Sequence, residues 1–345
     1  MIVGCLLILA SVTAVRSQAQ VERKTFEVGA IDFFGYGGLD LQAVREKLPI
    51  HVGQSINPDK FEGHEEAAVE REVQRVTGRP PTEVGIVCCG DENRLLIYIG
   101  LAGSSTRPLI TSPAPNGSEH LDPQALKLYD EFETAASKAI SRGDSQEDWS
   151  QGYALLADPA VHAIQLKVRA YAIDKEAEFE AVLRHSASAK QRAISAYLLG
   201  YAKRSATQIQ ALLDATLDGS SEVRNNATRA LGVLESATDS GPLEVDLEPL
   251  IAMLYSGHWT DRNKASFLLS ALTVQRDSAM LDQLRKDALP PLVEGARWKN
   301  PGHADAFLEI LGRIGNLPET EIQELAKTNK EKIIQAACPS CEELK

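Results

Sequence analysis

The sequence predicts a mostly α fold, an α-solenoid of helical repeats preceded by a small α+β domain, and three observations carry that expectation. The first is a phrase that returns through the second half of the chain. It opens on an Arg, continues with apolar residues at helical spacing and reaches a small residue eight positions on. It runs from Arg192 to Gly200, Arg224 to Gly232 and Arg262 to Ser270, and more loosely from Ala304 to Gly312, at steps of 32, 38 and 42 residues. Such a period, with two helix-length apolar patterns per unit, marks units that stack because none can bury its apolar face alone. The second is a stretch over 24–102 where strand and helix patterns alternate. The third is a Pro-, Ser-, Gly- and Thr-rich stretch over 103–122 that separates the two and reads as a linker.

Met1 to Ala14 is almost wholly apolar, and Ser17-Gln18-Ala19 offers small residues before a cut near Ala19, so 1–19 reads as a signal peptide, too short for a comfortable span. No Lys or Arg precedes the apolar run, which a misannotated start codon or a signal relying on its N-terminal amine would explain, and an uncleaved anchor is the alternative to cleavage. Cys5 precedes that run, whereas a lipoprotein cysteine follows it. With the signal removed, no integral membrane span is expected, and peripheral association with an envelope stays open. A hydrophobic content of 43% and a charged content of 24% suit a globular protein. The net charge of −12, with no Lys/Arg cluster, argues against nucleic acid as a partner.

Within 24–102, Phe26, Val28 and Ala30 alternate with Glu27 and Gly29 and lead into Ile31 and Phe33, a strand pattern ended at Gly35 to Gly38. Leu39-Asp40 starts a helix through Leu41, Val44, Arg45 and Leu48, stopped by Pro49. A second helix spans roughly Asn57 to Thr77 before Gly78 and two prolines. Strands follow at Glu83 to Cys89 and Arg94 to Leu101, around the turn residues Gly90 to Asn93. The order is β-α-α-β-β. That order, with Ile31 to Gly35, the helix end at Val44 to Pro49, Gly53 and the closing strand Leu95 to Ile99, resembles a POTRA (polypeptide-transport-associated) domain. The resemblance implies an extracytoplasmic module that engages protein chains, often by adding a strand to a sheet edge. POTRA domains usually accompany an outer-membrane barrel or an inner-membrane helix, and this sequence shows neither a following barrel pattern nor a clear inner-membrane helix.

After the linker, Asp122-Pro123 sets an N-cap and first position for a helix to about Arg142. Trp149 to Ile173 and Lys175 to Arg184 read as helices leading into the repeats, and Glu319–Lys327 and Lys330–Ala337 as a C-terminal cap, so that 123–345 forms one helical domain. The repeat phrase, above all Glu222 to Leu234, is similar to the second helix of HEAT repeats. The resemblance covers about 150–316 and implies a superhelical surface whose second helices line a concave wall.

If Val223, Ala227, Ala230, Leu231 and Leu234 form the buried stripe, helical geometry puts Asn225 and Arg229 on the far side, toward solvent. Through the repeat register these positions become one line of Tyr197, Arg229, Phe267 and Glu309 and another of Ala193, Asn225, Asn263 and Asp305. Aromatic and amide groups on a concave wall suit the capture of a peptide or partner helix. The alternative is that Tyr197 and Phe267 pack on the neighbouring repeat and the polar groups are merely solvated. Arg192, Arg224 and Arg262 lie at the stripe's edge, where bonds to carbonyls or carboxylates of the adjacent turn are expected, a phosphate ladder being the alternative. Trp259 and Trp298 are expected to plug gaps between repeats.

Catalytic, cofactor and metal motifs are not evident. Cys338 and Cys341 have CxxC spacing without βαβ context or a second ligand pair, and the expected product is a local disulfide or a pairing with Cys88 or Cys89. The histidines are scattered, and Asp130, Glu131 and Glu133 read as a solvated helix face. The sequence therefore suggests an exported, soluble, non-enzymatic scaffold or adaptor for protein partners of the envelope, with the linker tethering two binding modules. An enzyme of unrecognised type and a purely structural envelope component are the alternatives.

Overall fold

A computed structural model of the chain describes residues 25–87, 94–140, 142–144, 146–237 and 241–341. The expected signal segment, Cys5, Cys88, Cys89 and the Gly90 to Asn93 turn lie outside them. The chain is mostly helical, with a small mixed four-stranded sheet near its N-terminus.

The N-terminal module runs β1 (Phe26–Phe34), α1 (Leu41–Arg45), β2 (Ser55–Ile56), α2 (Pro58–Lys60), a π-helical turn (Phe61–Glu65), α3 (Glu66–Thr77), β3 (Glu83–Val87) and β4 (Leu95–Gly100). Asp40 caps α1 by accepting from the amides of Gln42 and Ala43, and Gly78 ends α3 in the left-handed region at φ 77°. The sheet order is β2-β1-β4-β3, with β1 parallel to β4 and the other pairs antiparallel. The short β2 was not expected from the sequence.

A second difference lies in β1. Its register with β4 shifts between Val28 and Ala30, so the extra residue, Gly29, re-phases the alternation. Val28, Ile31 and Phe33 then share a core with Val44, Val69 and Val73 from α1 and α3. Ala30 and Phe34 point the other way and, with Leu96 and Tyr98 of β4, join the core of the helical repeats. A strand half-buried on one face is thus replaced by one buried on both, which is also why β4 reads as an uninterrupted apolar run.

The remainder is α4 (Pro123–Ile140), a two-stranded hairpin of β5 (Glu147–Asp148) and β6 (Leu155–Leu156), α5 (Pro159–Asp174), α6 (Glu176–His185), α7 (Ala189–Leu199), α8 (Ala206–Ala215), α9 (Ser221–Glu235), α10 (Leu247–Leu254), α11 (Trp259–Leu272), α12 (Ser278–Asp287), α13 (Leu289–Ala296), α14 (Pro301–Ile314), α15 (Glu319–Thr328) and α16 (Lys330–Ala337). The helix expected from Trp149 begins only at Pro159. Gly152, at φ 77°, turns the hairpin, and Asp158 caps α5 through the amides of Ala160 and Val161. Helices pair as α6 with α7, α8 with α9, α10 with α11 and α13 with α14, and the second helices α7, α9, α11 and α14 pack on one another in series. Cys338 and Cys341 are joined by a disulfide behind α16, both buried.

The repeat arginines explain the register of the stack. Arg192, Arg224 and Arg262 are all buried, and each donates to the carbonyl six residues earlier, that of Ser186, Asp218 and Ser256. Each also meets a carboxylate further along: Asp218, Asp261 and Glu294 respectively. Arg192 and Arg224 hold theirs with two nitrogens, at 2.7 to 2.9 Å.

The 103–122 stretch differs from a free linker, because it is an extended strap laid across the same turns. The amides of Arg107, Ser112 and Gly117 donate to the carbonyls of Tyr255, Leu217 and His185 at 2.9, 2.7 and 2.8 Å. Those three carbonyls each lie one residue before the one held by a repeat arginine. The strap therefore satisfies backbone acceptors at the ends of α10, α8 and α6 that would otherwise need water.

Candidate functional site

The N-terminal module is clamped on the helices, and the geometry begins with Tyr98. Its ring stacks on Trp259 at 4.9 Å between centroids and meets the edge of Trp298 at 5.0 Å, while its hydroxyl lies 2.6 Å from His303 Nδ1. Trp298 Nε1 donates to the Phe33 carbonyl at 3.1 Å, and Asp32 accepts the Lys299 amide at 2.7 Å. Trp259 and Trp298 thus anchor the sheet, a different task from the inter-repeat plug expected of them. Burial in this aromatic box, with Lys264 adding repulsion, lowers His303 to about 4, so the ring is neutral near pH 7.

Between this module and α4 lies a cleft of about 1220 Å³. One wall carries Phe26, Phe61 and the residues Val84, Gly85 and Ile86 of β3. β3 is the outer strand of the sheet and pairs only with β4 among the described residues. Its first residue is tied down, since Glu83 accepts the Trp259 amide and Thr82 Oγ1 donates to the Gly257 carbonyl. The other wall is α4, with Tyr129, Phe132, Glu133 and Ser137, and the floor holds Tyr197 and Arg229.

The proposed concave positions now separate. Tyr197 is buried, stacked on Phe132 at 4.6 Å and edge-on to Tyr129, because α4 lies across α7. Arg229 is held by Glu147 of the β5–β6 hairpin at 2.5 Å, and Trp149 covers Phe267 at 5.0 Å while donating to Glu147. The expectation that this line faces open solvent is therefore corrected: the segment read as helix folds back as a hairpin over it. Glu309 accepts from Ser270 and lies 3.8 Å from Arg313. Asn225 and Asn263 are half-buried, the former bonded to Asn226, and Asp305 is exposed. The seven do not converge on one open surface; only Arg229 of them lines the cleft beside Tyr197.

Electrostatically the cleft leans acidic, with Glu66, Glu133 and Glu147 against Arg229. Burial raises the Glu133 carboxyl above its ordinary value, and the charge of Glu222 adds to this against the Tyr129 hydrogen bond. Burial opposes the Arg229 charge, but Glu147 and the tyrosines 201 and 197 outweigh it and hold the pKa high. Lys264 is lowered to about 8 by burial and by Arg229. Tyr129 and Glu133 were missed as site residues because a carboxylate at helical spacing from its neighbours has the same pattern on a solvated face. Nothing in the sequence announces the β5–β6 hairpin that builds the floor.

Among the described residues, no group of three or more His, Cys, Asp or Glu is placed to hold a metal ion, and no helix is long and apolar enough to cross a membrane. The histidines have separate settings: His303 in the aromatic box, His258 against Glu83, His185 lending its carbonyl to the strap, and His162 on α5. No family model matches the sequence, and no curated protein matches it either.

Proposed function

We propose that this protein is a non-enzymatic, exported scaffold that captures an extended protein segment in the cleft between β3 and α4. The observation that carries this reading is the pairing of an outer strand, with no second neighbour among the described residues, with an apolar helix face across 1220 Å³ of open space. That volume exceeds the roughly 300–1000 Å³ common for small-molecule sites. An incoming strand would satisfy β3's free backbone groups, and its side chains would alternate between the cleft and solvent. The acidic lining favours apolar residues interspersed with Lys or Arg in the bound segment.

On this reading the four-stranded module is POTRA-like, and the stacked helix pairs are a HEAT-like solenoid that holds it rigidly. Capture would then occur at one composite site, because the docked strap removes the freedom a flexible tether requires. Work in an envelope compartment, as soluble or peripherally associated protein, follows from the apolar N-terminal segment.

Display selection of extended peptides against the full chain tests the reading. Bound peptides should protect the β3 amides from hydrogen exchange and should lose at least tenfold in affinity with Ser137→Trp, an exposed α4 position that would fill the cleft without disturbing the core. Selected peptides that ignore Ser137→Trp and leave β3 unprotected would refute it.

A further inference from the structure

A second cavity, of about 580 Å³, lies where the N-terminal module, the strap and the repeat turns meet. Arg79, Arg107, Arg224 and His258 line it, and no carboxylate does among the described residues, in a chain whose net charge is −12. The cavity's sign is thus opposite to that of the whole molecule.

The four basic groups are engaged to different degrees. Arg224 is spent, its guanidinium held by Asp261 and the Asp218 carbonyl. His258 Nδ1 lies 3.7 Å from Glu83, whose other oxygen takes the Trp259 amide. Arg79 makes one long bond, 3.3 Å, to the Ala102 carbonyl, and Arg107 lies over the Tyr255 ring at 4.1 Å. Neither has a carboxylate within ion-pair distance among the described residues. Both are exposed, so most of their N–H donors are available to a ligand.

Uncharged donors join them. The hydroxyl of Thr111 belongs to a lining residue, and Gly219, which precedes the first turn of α9, lines the cavity too, whereas the Thr82 hydroxyl there is already donated to the Gly257 carbonyl. Ser220, the cap residue of that 15-residue helix, makes no side-chain cap bond, so amides of the first turn retain donor capacity. Placing Arg107 here is a consequence of the strap, since its own amide is bonded to the Tyr255 carbonyl beneath.

We infer that this cavity is a binding site for an oxyanion of the phosphate-monoester class, gripped by Arg79 and Arg107 and carried on a small soluble molecule that fills the remaining volume. Two planar guanidinium groups offer paired donors to phosphate oxygens, which a lone lysine ammonium cannot match. A phosphate group alone occupies a small part of 580 Å³, and the rest fits a carrier of ordinary metabolite size. Long-range repulsion from the acidic chain is screened beyond about 8–10 Å at physiological salt, whereas these contacts act at close range.

Titration calorimetry of the full chain with inorganic phosphate and glycerol 1-phosphate, at constant ionic strength set with chloride, provides the test. Saturable binding is expected for the wild type, tighter for the ester, and at least tenfold weaker in Arg79→Gln/Arg107→Gln. Lys190→Gln, an exposed change at the start of α7, should have no effect. Independently of any variant, phosphate should protect Arg79 and Arg107 from phenylglyoxal modification in the wild type, read by mass spectrometry. Absence of saturable binding, or binding that survives the double substitution with both arginines unprotected, would overturn the assignment.

Discussion

Arg262 and Glu294 form an ion pair at 3.1 Å inside the protein, with 1% and 4% of their side chains exposed, and apart from the Arg262 bond to the Ser256 carbonyl their side-chain contacts reach toward the N-terminal half. The Glu294 carboxylate accepts the amides of Gly35 at 2.7 Å and Gly37 at 3.1 Å and the Ser105 hydroxyl. Arg262 donates to the Ser105 carbonyl at 2.7 Å and lies over the Phe34 ring. A repeat arginine has therefore been recruited, at the third repeat only, to join sheet, strap and helices.

Glu294→Ala should lower global stability by about 3–5 kcal/mol, because it leaves Arg262 buried without its counter-charge and the Gly35 amide without its acceptor, while the Gly37 amide keeps the Ser105 hydroxyl at 2.8 Å. Lys190→Gln, on the surface, should stay within about 0.5 kcal/mol. Urea unfolding followed by circular dichroism checks both. An effect of Glu294→Ala below 1 kcal/mol would mean that the N-terminal module docks without this pair.

The acid response should be governed in part by His303. Its folded pKa, about 4, lies below the unfolded value near 6.5, so the neutral ring's contribution is complete above pH 6.5 and is lost as pH falls toward 4. The expected slope is at most about 1.4 kcal/mol per pH unit across that window. His258 acts in the opposite sense. The Glu83 carboxylate 3.7 Å from its ring, against the cost of burial, raises its pKa, so its contribution is present below pH 6.5 and fades above it. Stability measured from pH 4 to 8 in His303→Gln should lose the acid-side slope, and in His258→Gln only the slope above pH 6.5.

Much of this organisation is visible in the sequence, and the part that is not has a common cause. Local signals worked where the deciding contacts are local: Asp40, Asp122 and Asp158 cap the helices they precede, and the repeat phrase places α7, α9, α11 and α14. The reading of Arg192 and Arg224 as structural groups follows from their place at the stripe's edge. The strap, the two-sided burial of β1 and the hairpin over Arg229 depend on residues far apart in the chain, such as Glu147 with Arg229 and Trp298 with Phe33. A Pro/Ser/Gly-rich composition is the same for a free linker and for an extended segment whose amides find acceptors on folding. The covering of Tyr197 and Arg229 escaped the sequence for the same reason, since helical periodicity says which face of α7 is opposite its core and not what α4 lays upon it.

The Glu147–Arg229 pair is expected to hold the hairpin and so the floor of the cleft. With side chains 17% and 23% exposed, Glu147→Ala should cost about 1–3 kcal/mol, mostly by leaving a largely buried guanidinium unpaired. The amides of β5 and β6 should exchange faster in this variant while those of α9 change little. Equal exchange in both elements would show that Trp149 packing on Phe267 is sufficient.

The strap supplies the sharpest distinction between a tether and a structural element. In the native protein the amides of Arg107, Ser112 and Gly117 should exchange slowly, each being bonded to a turn carbonyl, whereas Ile110, with 87% of its surface exposed, should mark the segment most open to protease. Ser112→Pro removes the central donor and leaves the Leu217 carbonyl without it, at an expected cost of about 1–3 kcal/mol. The loss should spread outward from the α8–α9 turn, raising exchange there before it reaches Arg107. If Ser112→Pro were neutral and the three amides exchanged at loop rates, the strap would be a tether, and capture by two modules in tandem would regain its basis.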